Sequence, residues 1–541
     1  MARQSILGEI NGCVFTAVGG FPDLLDKAGL LATVFHPLPS SSSSSQRLAF
    51  QRWPRVPNGD GGGGGISYRL SPTCEPPSWK DVQVVGFETS TSTSTNSEYV
   101  AGFTQLYTDA RQVFQNQPTR LFLHGFYIFG SKMERWVFDR SGLYSSTRLD
   151  LKQGHLHITT VLCSYINMSD VELGINPQIL HDDQGNYVSI ERDQGSGVRK
   201  FYLEDEPFVF PERIITEAPT CFRARSPDST DYEFVVKIAW RSDDRGFEEK
   251  ILRLIKERNV WGTVQLLGHT KVETISNLRR GLQFPTSQPR PHGKQSHEPS
   301  LGLGSVIKTN DKPFTDLTLS INIVSPLGRP LGEFDNILEF LEAYRDAIKG
   351  HRSLFLDGRI LHQDISKNNI IISEKKKEGE PRGVLIDFDL AMDLAVGPQR
   401  PGELVGTKIF MAIDLLAGKP HTYRHDLESF LYVLLQMAIC GSTMKLPPGS
   451  RLQRWVVGRW GDLSQKKTED MSTENFTALL SEFTPQFKGM KELAWTLREV
   501  LFTPTKDGGL FTGTKTQSTE VGILYNGMIG AVEEAISCYK K

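Results

Sequence analysis

The chain has 541 residues, of which 38% are hydrophobic and 23% charged, and these proportions predict a folded protein with room for about two or three hydrophobic cores. Its formal net charge of −2 gives no indication of broad binding to nucleic acid or to a membrane surface, and we expect neither as a partner. The six cysteines form no C-x-x-C pair, which argues against zinc sites and a disulfide framework and indicates a reducing compartment.

Targeting and membrane segments are not indicated by the sequence. Residues 1–10 lack a basic stretch followed by an apolar one, so we expect no signal peptide. The most apolar run, Phe430 to Cys440, is too short to span a bilayer. We therefore expect an intracellular protein, located in the cytoplasm or the nucleus.

The first part of the chain predicts linkers followed by a small folded module. Runs rich in serine, threonine or glycine at 40–45, 61–65 and 90–97 predict flexible linkers, so we assign residues 1–97 as a poorly defined N-terminal region. Beyond it, apolar residues recur at helical spacing, and two strand patterns follow. We predict an α+β module without catalytic chemistry over residues 98–202.

The second part predicts a larger domain that begins near residue 203. Its predicted elements are, in chain order, a strand over 232–238, a helix over 245–255, an inserted mobile loop over 272–314, a strand over 317–324, a hinge at 325–331 and a long helix that ends at 357–358. Lys237 lies on the first of these strands, and Glu248 and Glu249 lie beside the apolar face of the helix that follows.

The stretch 360–391 contains the residues with the clearest chemistry. A polar loop with His362, Asp364 and Asn369 leads into an apolar run, and a second apolar run after a charged turn ends at Asp387. Two strands joined by a turn would hold Asp364, Asn369 and Asp387 around one cleft. A carboxylate near a substrate hydroxyl, with an amide and a carboxylate that can hold magnesium, is the set of groups that phosphoryl transfer requires.

The pattern H-x-D-x-x-x-x-N followed by D-F-x resembles the catalytic and metal-binding loops of eukaryotic protein kinases. The flanking segments resemble the fungal-type protein kinase family in particular. The sequences that carry this resemblance are Gln117-Pro-Thr-Arg120, Phe138 to Ser146 and Met168 to Gly174. This resemblance runs from residue 98 to past residue 500. It implies an α+β fold with a bilobal protein-kinase-like domain at 203–503, divided into an N-lobe (203–325) and a C-lobe (326–503), and a C-terminal tail at 504–541 that could form a helix.

The resemblance also implies a role for each site residue. Asp364 would accept the proton of the substrate hydroxyl, Asn369 and Asp387 would hold Mg²⁺, Lys237 would hold the phosphates of ATP, and Glu248 would pair with Lys237. The implied cofactors are ATP and Mg²⁺, and the implied partner is a protein substrate whose identity the sequence does not give.

Two further segments match parts of a kinase. Residues 406–414, here called the docking segment, resemble the end of an activation segment, which serves peptide substrates. Asp426 lies in a D-L-E-S helix pattern and would brace the catalytic loop, whereas its local sequence alone predicts a helix N-cap.

Four positions depart from the kinase pattern. Residues 215–222 contain no glycine where a phosphate-binding loop would lie, and Gln363, Ser366 and Asp389 replace an arginine, a lysine and a glycine. Three interpretations therefore stay open: a Ser/Thr protein kinase, a pseudokinase that acts as a binding scaffold, and a small-molecule phosphotransferase, which would not need the docking segment.

The residue before Asp364 also leads to a hypothesis about regulation. Many kinases are activated when a phosphate on the activation segment pairs with an arginine at this position, because ordering a loop around phosphate needs a bidentate cation. Gln363 is uncharged. We therefore predict that activity does not depend on phosphorylation of this segment, for instance at Thr407.

Overall fold

The computed structural model shows an α+β protein, which confirms the fold class predicted from the sequence. The described residues are 2–19, 48–54, 65–72, 78–89, 95–153, 155–191, 198–242, 248–284, 302–310, 313–374, 378–398, 402, 404–441, 445–506, 509–514 and 518–540. The predicted linker at 40–45, most of the other two linkers and the centre of the predicted insertion lie outside these residues.

Twelve α-helices and twenty-two strands occur in these ranges. The helices are α1 Ala2–Ile10, α2 Asn96–Asn116, α3 His155–Ile166, α4 Glu248–Glu257, α5 Ile275–Leu278, α6 Ile337–Leu356, α7 Ile413–Leu416, α8 Tyr423–Cys440, α9 Trp460–Asp470, α10 Thr473–Ser481, α11 Lys491–Leu501 and α12 Ser518–Tyr539. The strands are β1 Val14–Phe15, β2 Leu48–Pro54, β3 Gly65–Pro72, β4 Val84–Thr89, β5 Phe122–Phe129, β6 Lys132–Asp139, β7 Gly142–Ser145, β8 Leu149–Asp150, β9 Leu180–Asp182, β10 Gly185–Glu191, β11 Val198–Leu203, β12 Thr220–Arg225, β13 Phe234–Arg241, β14 Gln265–Thr274, β15 Thr318–Ser325, β16 Gly328–Pro330, β17 Ile360–Leu361, β18 Ile370–Ser373, β19 Gly383–Leu385, β20 Met392–Asp393, β21 Thr503–Pro504 and β22 Leu510–Phe511.

The chain divides into two compact units. The first unit comprises Met1–Thr230, Val236–Asp243 and Thr270–Ile321, and the second comprises Asp231–Val235, Asp244–His269 and Asn322–Lys541. Among the described residues, no helix of either unit combines the length and the apolar character that crossing a membrane requires.

The first unit contains an eight-stranded sheet in the order β1-β7-β6-β5-β4-β3-β2, with β8 paired to β6. Helix α2 packs against this sheet through a buried aromatic core in which the rings of Phe103 and Trp136 lie 4.7 Å apart. The helix begins where the sequence places a capping box: the hydroxyl of Thr95 accepts the N–H of Glu98, and the carboxylate of Glu98 accepts the N–H of Thr95. Strands β2 to β4 come from residues 48–89, upstream of the module predicted at 98–202.

A buried ion pair contradicts part of the loop predicted at 272–314. Arg279 donates from Nε and Nη2 to the two carboxylate oxygens of Asp139, at 2.8 and 2.7 Å, and both side chains are 1% exposed. Residues 272–284 are therefore ordered elements of the first unit, and the prediction of a mobile loop is wrong for them. The proline-rich composition of the segment favours a loop. The ion pair could not be predicted, because Asp139 lies far from Arg279 in the sequence.

A second sheet of the first unit carries Lys237. Its order is β14-β15-β13-β12-β11-β10-β9, and Lys237 is half-buried in β13, close to the strand predicted from the sequence. Strands β13, β14 and β15 each contain residues that belong to the second unit as well.

The second unit is mainly helical and is organised around α8. Every residue of α8 is buried, and α6, α11 and α12 contribute to the same hydrophobic core. The long helix predicted to end at Asp357 is confirmed as α6, whose C-cap is that residue. The C-terminal tail at 504–541 does form a helix, α12.

Candidate active site

A small β-hairpin fixes the spacing of the candidate catalytic residues in the second unit. The two apolar runs become β18 and β19, buried throughout, with Ile370 opposite Leu385. The next residue pair is joined by a hydrogen bond of 3.0 Å from the N–H of Ile386 to the carbonyl of Asn369. Asn369 and Asp387 therefore emerge side by side at one end of the hairpin.

Asp364 is the centre of a short hydrogen-bond network. Its Oδ1 accepts both the N–H and the hydroxyl of Thr407 at 2.8 Å, and its Oδ2 accepts Nδ2 of Asn369 at 3.2 Å. The same Nδ2 donates to the backbone carbonyl of Asp364 at 2.8 Å. These bonds hold the carboxylate in one orientation and use the donor side of the Asn369 amide, so the amide oxygen is the side left for a metal ion.

His362 ties the catalytic loop to the hairpin. Its Nε2 lies 3.1 Å from the carbonyl of Ile386, which can only accept, and its Nδ1 accepts the N–H of Asp364 at 3.4 Å. The imidazole is therefore neutral, with its proton on Nε2. Complete burial, which disfavours the charged ring, lowers the pKa of His362, in agreement with a neutral ring.

The D-F-D motif tolerates an aspartate in place of the expected glycine. Asp387 is the residue in the left-handed region, with φ of 63°, whereas Asp389 does not adopt a positive φ. Aspartate visits this region at lower cost than most residues, because its short side chain can bond locally. The substitution at Asp389 therefore adds a carboxylate without backbone strain.

Three carboxylates converge at this motif. Oxygens of Glu248, Asp387 and Asp389 lie within 4.8 Å of one another. The Oε1 of Glu248 accepts the N–H of Phe388 at 3.1 Å, and its Oε2 accepts Nδ2 of Asn322 at 3.2 Å. Each oxygen of Glu248 thus accepts a hydrogen bond within the second unit.

The donor set fits magnesium. Carboxylate and amide oxygens are the ligands that Mg²⁺ takes from proteins, usually one or two at a time, with water and phosphate oxygens completing its shell. Asp387 and Asn369, which the resemblance implies as Mg²⁺ ligands, carry such oxygens, and Asp389 carries one that the resemblance did not imply. Their role as ligands stays a prediction. Asn322, which orients Glu248, was not predicted either, since a lone asparagine on a strand carries no sequence signal.

Glu248 and Glu249 have different environments. Glu248 begins α4 and is buried against the D-F-D motif, whereas Glu249 forms an ion pair with Arg253 on its own helix. The pairing of Glu248 with Lys237 stays a prediction.

The glycine-free segment belongs to the first unit and has an unusual backbone. Ala218 adopts a left-handed φ of 48° directly before Pro219, a conformation that costs a residue with a Cβ about 1–2 kcal/mol. The carbonyl of Glu217 accepts the N–H of Trp240 at 2.8 Å, and its carboxylate pairs with Arg241. The negative charge at Glu217 is therefore compensated within the protein.

Asp426 braces the catalytic loop but is not a helix cap. The N-cap residue of helix α8 is Thr422, and Asp426 lies in the first turn, so the N-cap predicted from local sequence is wrong. Its Oδ2 accepts the backbone N–H groups of His362 and Gln363, at 3.1 and 3.3 Å. Nε2 of His351 donates to the same oxygen at 2.9 Å.

Further hydrogen bonds extend this brace to the C-terminal helix. Nε2 of His421 donates to Oδ1 of Asp426 at 2.7 Å, and the hydroxyl of Tyr525 on α12 lies 2.9 Å from Nδ1 of His351. The two histidines and their hydrogen bonds hold the pKa of Asp426 well below its usual range, in spite of complete burial. The catalytic loop is thus fixed by side chains from three helices or their flanks.

Comparison with known proteins identifies the family. No curated protein matches the chain. The model of one family, described as fungal protein kinase, matches residues 68–438 and confirms the resemblance. The match begins before residue 98 and ends before residue 500, the approximate bounds predicted from the sequence. Members of such a family use ATP and Mg²⁺ in general. Because the match covers more than half of the chain, this protein belongs to the fungal protein kinase family.

Proposed function

We propose that this protein transfers the γ-phosphoryl group of ATP to serine or threonine hydroxyls of protein substrates. The observation that carries the proposal is the pair of hydrogen bonds from Thr407 to Oδ1 of Asp364. The segment that would receive a peptide is bonded to the carboxylate that would receive the proton. A small-molecule phosphotransferase has no need of this connection, so the geometry favours a protein substrate.

Each side chain then has a defined task. Asp364 orients the substrate hydroxyl and accepts its proton as the oxygen attacks phosphorus, with positioning contributing as much as basicity. Asp387 and Asn369 hold Mg²⁺, with Asp389 as an additional oxygen ligand. When bound, Mg²⁺ and ATP supply the charge neutralisation and the transferred group. Lys237 holds the phosphates, as the resemblance implies.

The alternative is a pseudokinase that binds partners without phosphoryl transfer. The glycine-free segment favours this alternative, because Pro219 offers no N–H to a phosphate and Ala218 occupies a backbone conformation that suits glycine. Measuring ATP affinity with and without Mg²⁺ separates the two functions. A magnesium-dependent affinity supports the kinase, and no binding in either condition supports the scaffold.

The direct test is the Asp364→Asn variant, assayed with radiolabelled ATP and a mixture of generic protein substrates. We expect the rate to fall by about 10²–10⁴-fold, with phosphoserine and phosphothreonine as the wild-type products. Asp393→Asn is the matched control, since Asp393 is a half-buried carboxylate of the same unit that pairs with Arg258. Full activity in Asp364→Asn would exclude the proposed base.

A further inference from the structure

The docking segment is held in place by side chains from the interior of the second unit. Ser429 on α8 donates its hydroxyl to the carbonyl of Phe410 at 2.7 Å. The amino group of Lys467 on α9 donates to the carbonyls of Ile409 at 2.9 Å, of Lys408 at 3.4 Å and of Met411. Four consecutive carbonyls, from residue 408 to residue 411, are therefore fixed by two buried side chains.

Lys467 lies with its amino group among aromatic side chains in the interior of the second unit. It is fully buried, and its amino group lies 4.2 Å from the ring of Tyr432 and 5.0 Å from that of Trp455. Within the described parts of the chain it forms no ion pair. Glu428 on α8, whose charge acts on Lys467, is engaged with Arg424 and with the N–H of Ile413.

The hydrogen bonds of Lys467 survive a change in its charge. Burial lowers the pKa of Lys467 to about 7. The neutral amine still carries two N–H groups, enough for the closer carbonyls of Ile409 and Met411. A buried lysine without a carboxylate partner is costly to the fold, so its presence here calls for a role in the segment that it contacts.

The segment transmits this support to the catalytic carboxylate. The N–H of Phe410 donates to the carbonyl of Thr407 at 2.8 Å, and Thr407 in turn donates twice to Asp364. We infer that Lys467 is a positioning residue that keeps the docking segment ready for a peptide, in place of a phosphate–arginine pair. This inference rests on the proposed function for its kinetic consequences, but not for its structural ones.

The same arrangement gives a physical basis for activity without phosphorylation. Gln363 lacks the charge that would bind a phosphate, and its backbone N–H is bonded to Asp426 instead. Buried donors on α8 and α9 do not depend on a modifying enzyme. The docking segment is therefore ordered as soon as the second unit folds.

The test compares Lys467→Met with Lys466→Met in the full-length protein. Methionine fits between the two aromatic rings but removes the N–H donors. Lys466 is the adjacent lysine on the same helix, and it donates to the carbonyl of Val457 at 2.8 Å, away from the docking segment. Hydrogen exchange of residues 404–414 and steady-state kinetics with peptide and with ATP are measured for both variants.

We expect Lys467→Met to exchange these amides about tenfold faster or more and to raise the KM for peptide by about tenfold, while the KM for ATP changes by less than about twofold. Lys466→Met should match the wild type in all three. Unchanged exchange in a folded Lys467→Met would overturn the inference. If the wild type transfers no phosphate, the proposed function fails while the exchange data still decide the role of Lys467.

A folding defect does not leave the question open. If circular dichroism shows that Lys467→Met is unfolded, Ser429→Ala removes a single donor to the same segment. It should accelerate exchange at residues 404–414 by about threefold. Exchange equal to that of the wild type in Ser429→Ala would then count against the inference.

Discussion

Replacing Asp426 with asparagine tests whether this buried carboxylate holds the catalytic loop. Asparagine has nearly the same volume, so the change removes the charge and one acceptor oxygen without opening a cavity. If its oxygen takes the position of Oδ2, the bonds from His351, His362 and Gln363 are kept as neutral ones. Its NH₂ group then faces Nε2 of His421, where an acceptor lay at 2.7 Å.

The size of the effect follows from these contacts. Each of the three retained bonds loses its charge-assisted part, about 0.5–1 kcal/mol apiece, and the mismatch at His421 costs about 1–3 kcal/mol. The lower cost of burying a neutral amide offsets part of this loss. We expect a decrease of about 3 kcal/mol in the free energy of unfolding of the second unit, or roughly 6–12 °C in Tm.

Urea denaturation followed by tryptophan fluorescence measures the change, and hydrogen exchange at residues 360–366 locates it. Asp335→Asn serves as a control, since this carboxylate is exposed and its ion pair with Arg329 is worth little. A decrease of less than about 1 kcal/mol in the free energy of unfolding of Asp426→Asn, with unchanged hydrogen exchange in the catalytic loop, would refute this reasoning. A neutral side chain would then brace the loop as well as the carboxylate does.

Two further predictions concern buried charge. Asp139→Asn leaves the charge of Arg279 without its carboxylate partner and should destabilise the first unit by about 3–5 kcal/mol, measured by thermal denaturation. As a control, Lys132→Met breaks the exposed ion pair with Asp150 and should destabilise this unit by less than about 1 kcal/mol. Similar losses of stability in both variants would refute the role of burial. The pKa of Lys467 is about 7 in the folded protein and about 10.4 in the unfolded chain. Between these two pH values the unfolded state binds more protons than the folded state. The free energy of unfolding therefore rises with pH, by up to about 1.4 kcal/mol per pH unit. Lys467→Met should lack this rise between pH 7.5 and 9.5, and parallel curves for the two proteins would contradict the lowered pKa.

The sequence predicted the elements whose signals are local. The apolar runs around Asn369 and Asp387 became paired strands because their length, their β-branched residues and the charged turn between them all favour a hairpin. His351 also carried a signal, since it shares the apolar stripe of α6, where it is fully buried. Its hydrogen bonds to Asp426 and Tyr525 could not be predicted, because the three residues are far apart in the chain.

Long-range polar contacts account for the errors. Arg279 lies in a segment whose composition indicates a loop, and only the position of Asp139 in the folded protein explains its order. Asp426 has the residue type of an N-cap, but Thr422 precedes the helix and occupies that position. A lysine such as Lys467, in a helix with many charged neighbours, indicates a solvent-exposed face, and nothing nearby in the sequence shows that Tyr432 and Trp455 enclose it.

The C-terminal helix has a genetic consequence. The family match ends at residue 438, inside α8, yet the core of the second unit is completed by side chains from α12, namely Val521, Tyr525, Met528, Ile529, Val532 and Ile536. A chain stopped before α12 would expose the apolar surfaces of α6 and α11 and withdraw the hydroxyl from His351. A nonsense mutation as late as codon 520 should therefore behave as a null allele, with its product cleared by proteolysis although every residue proposed for the active site is still encoded.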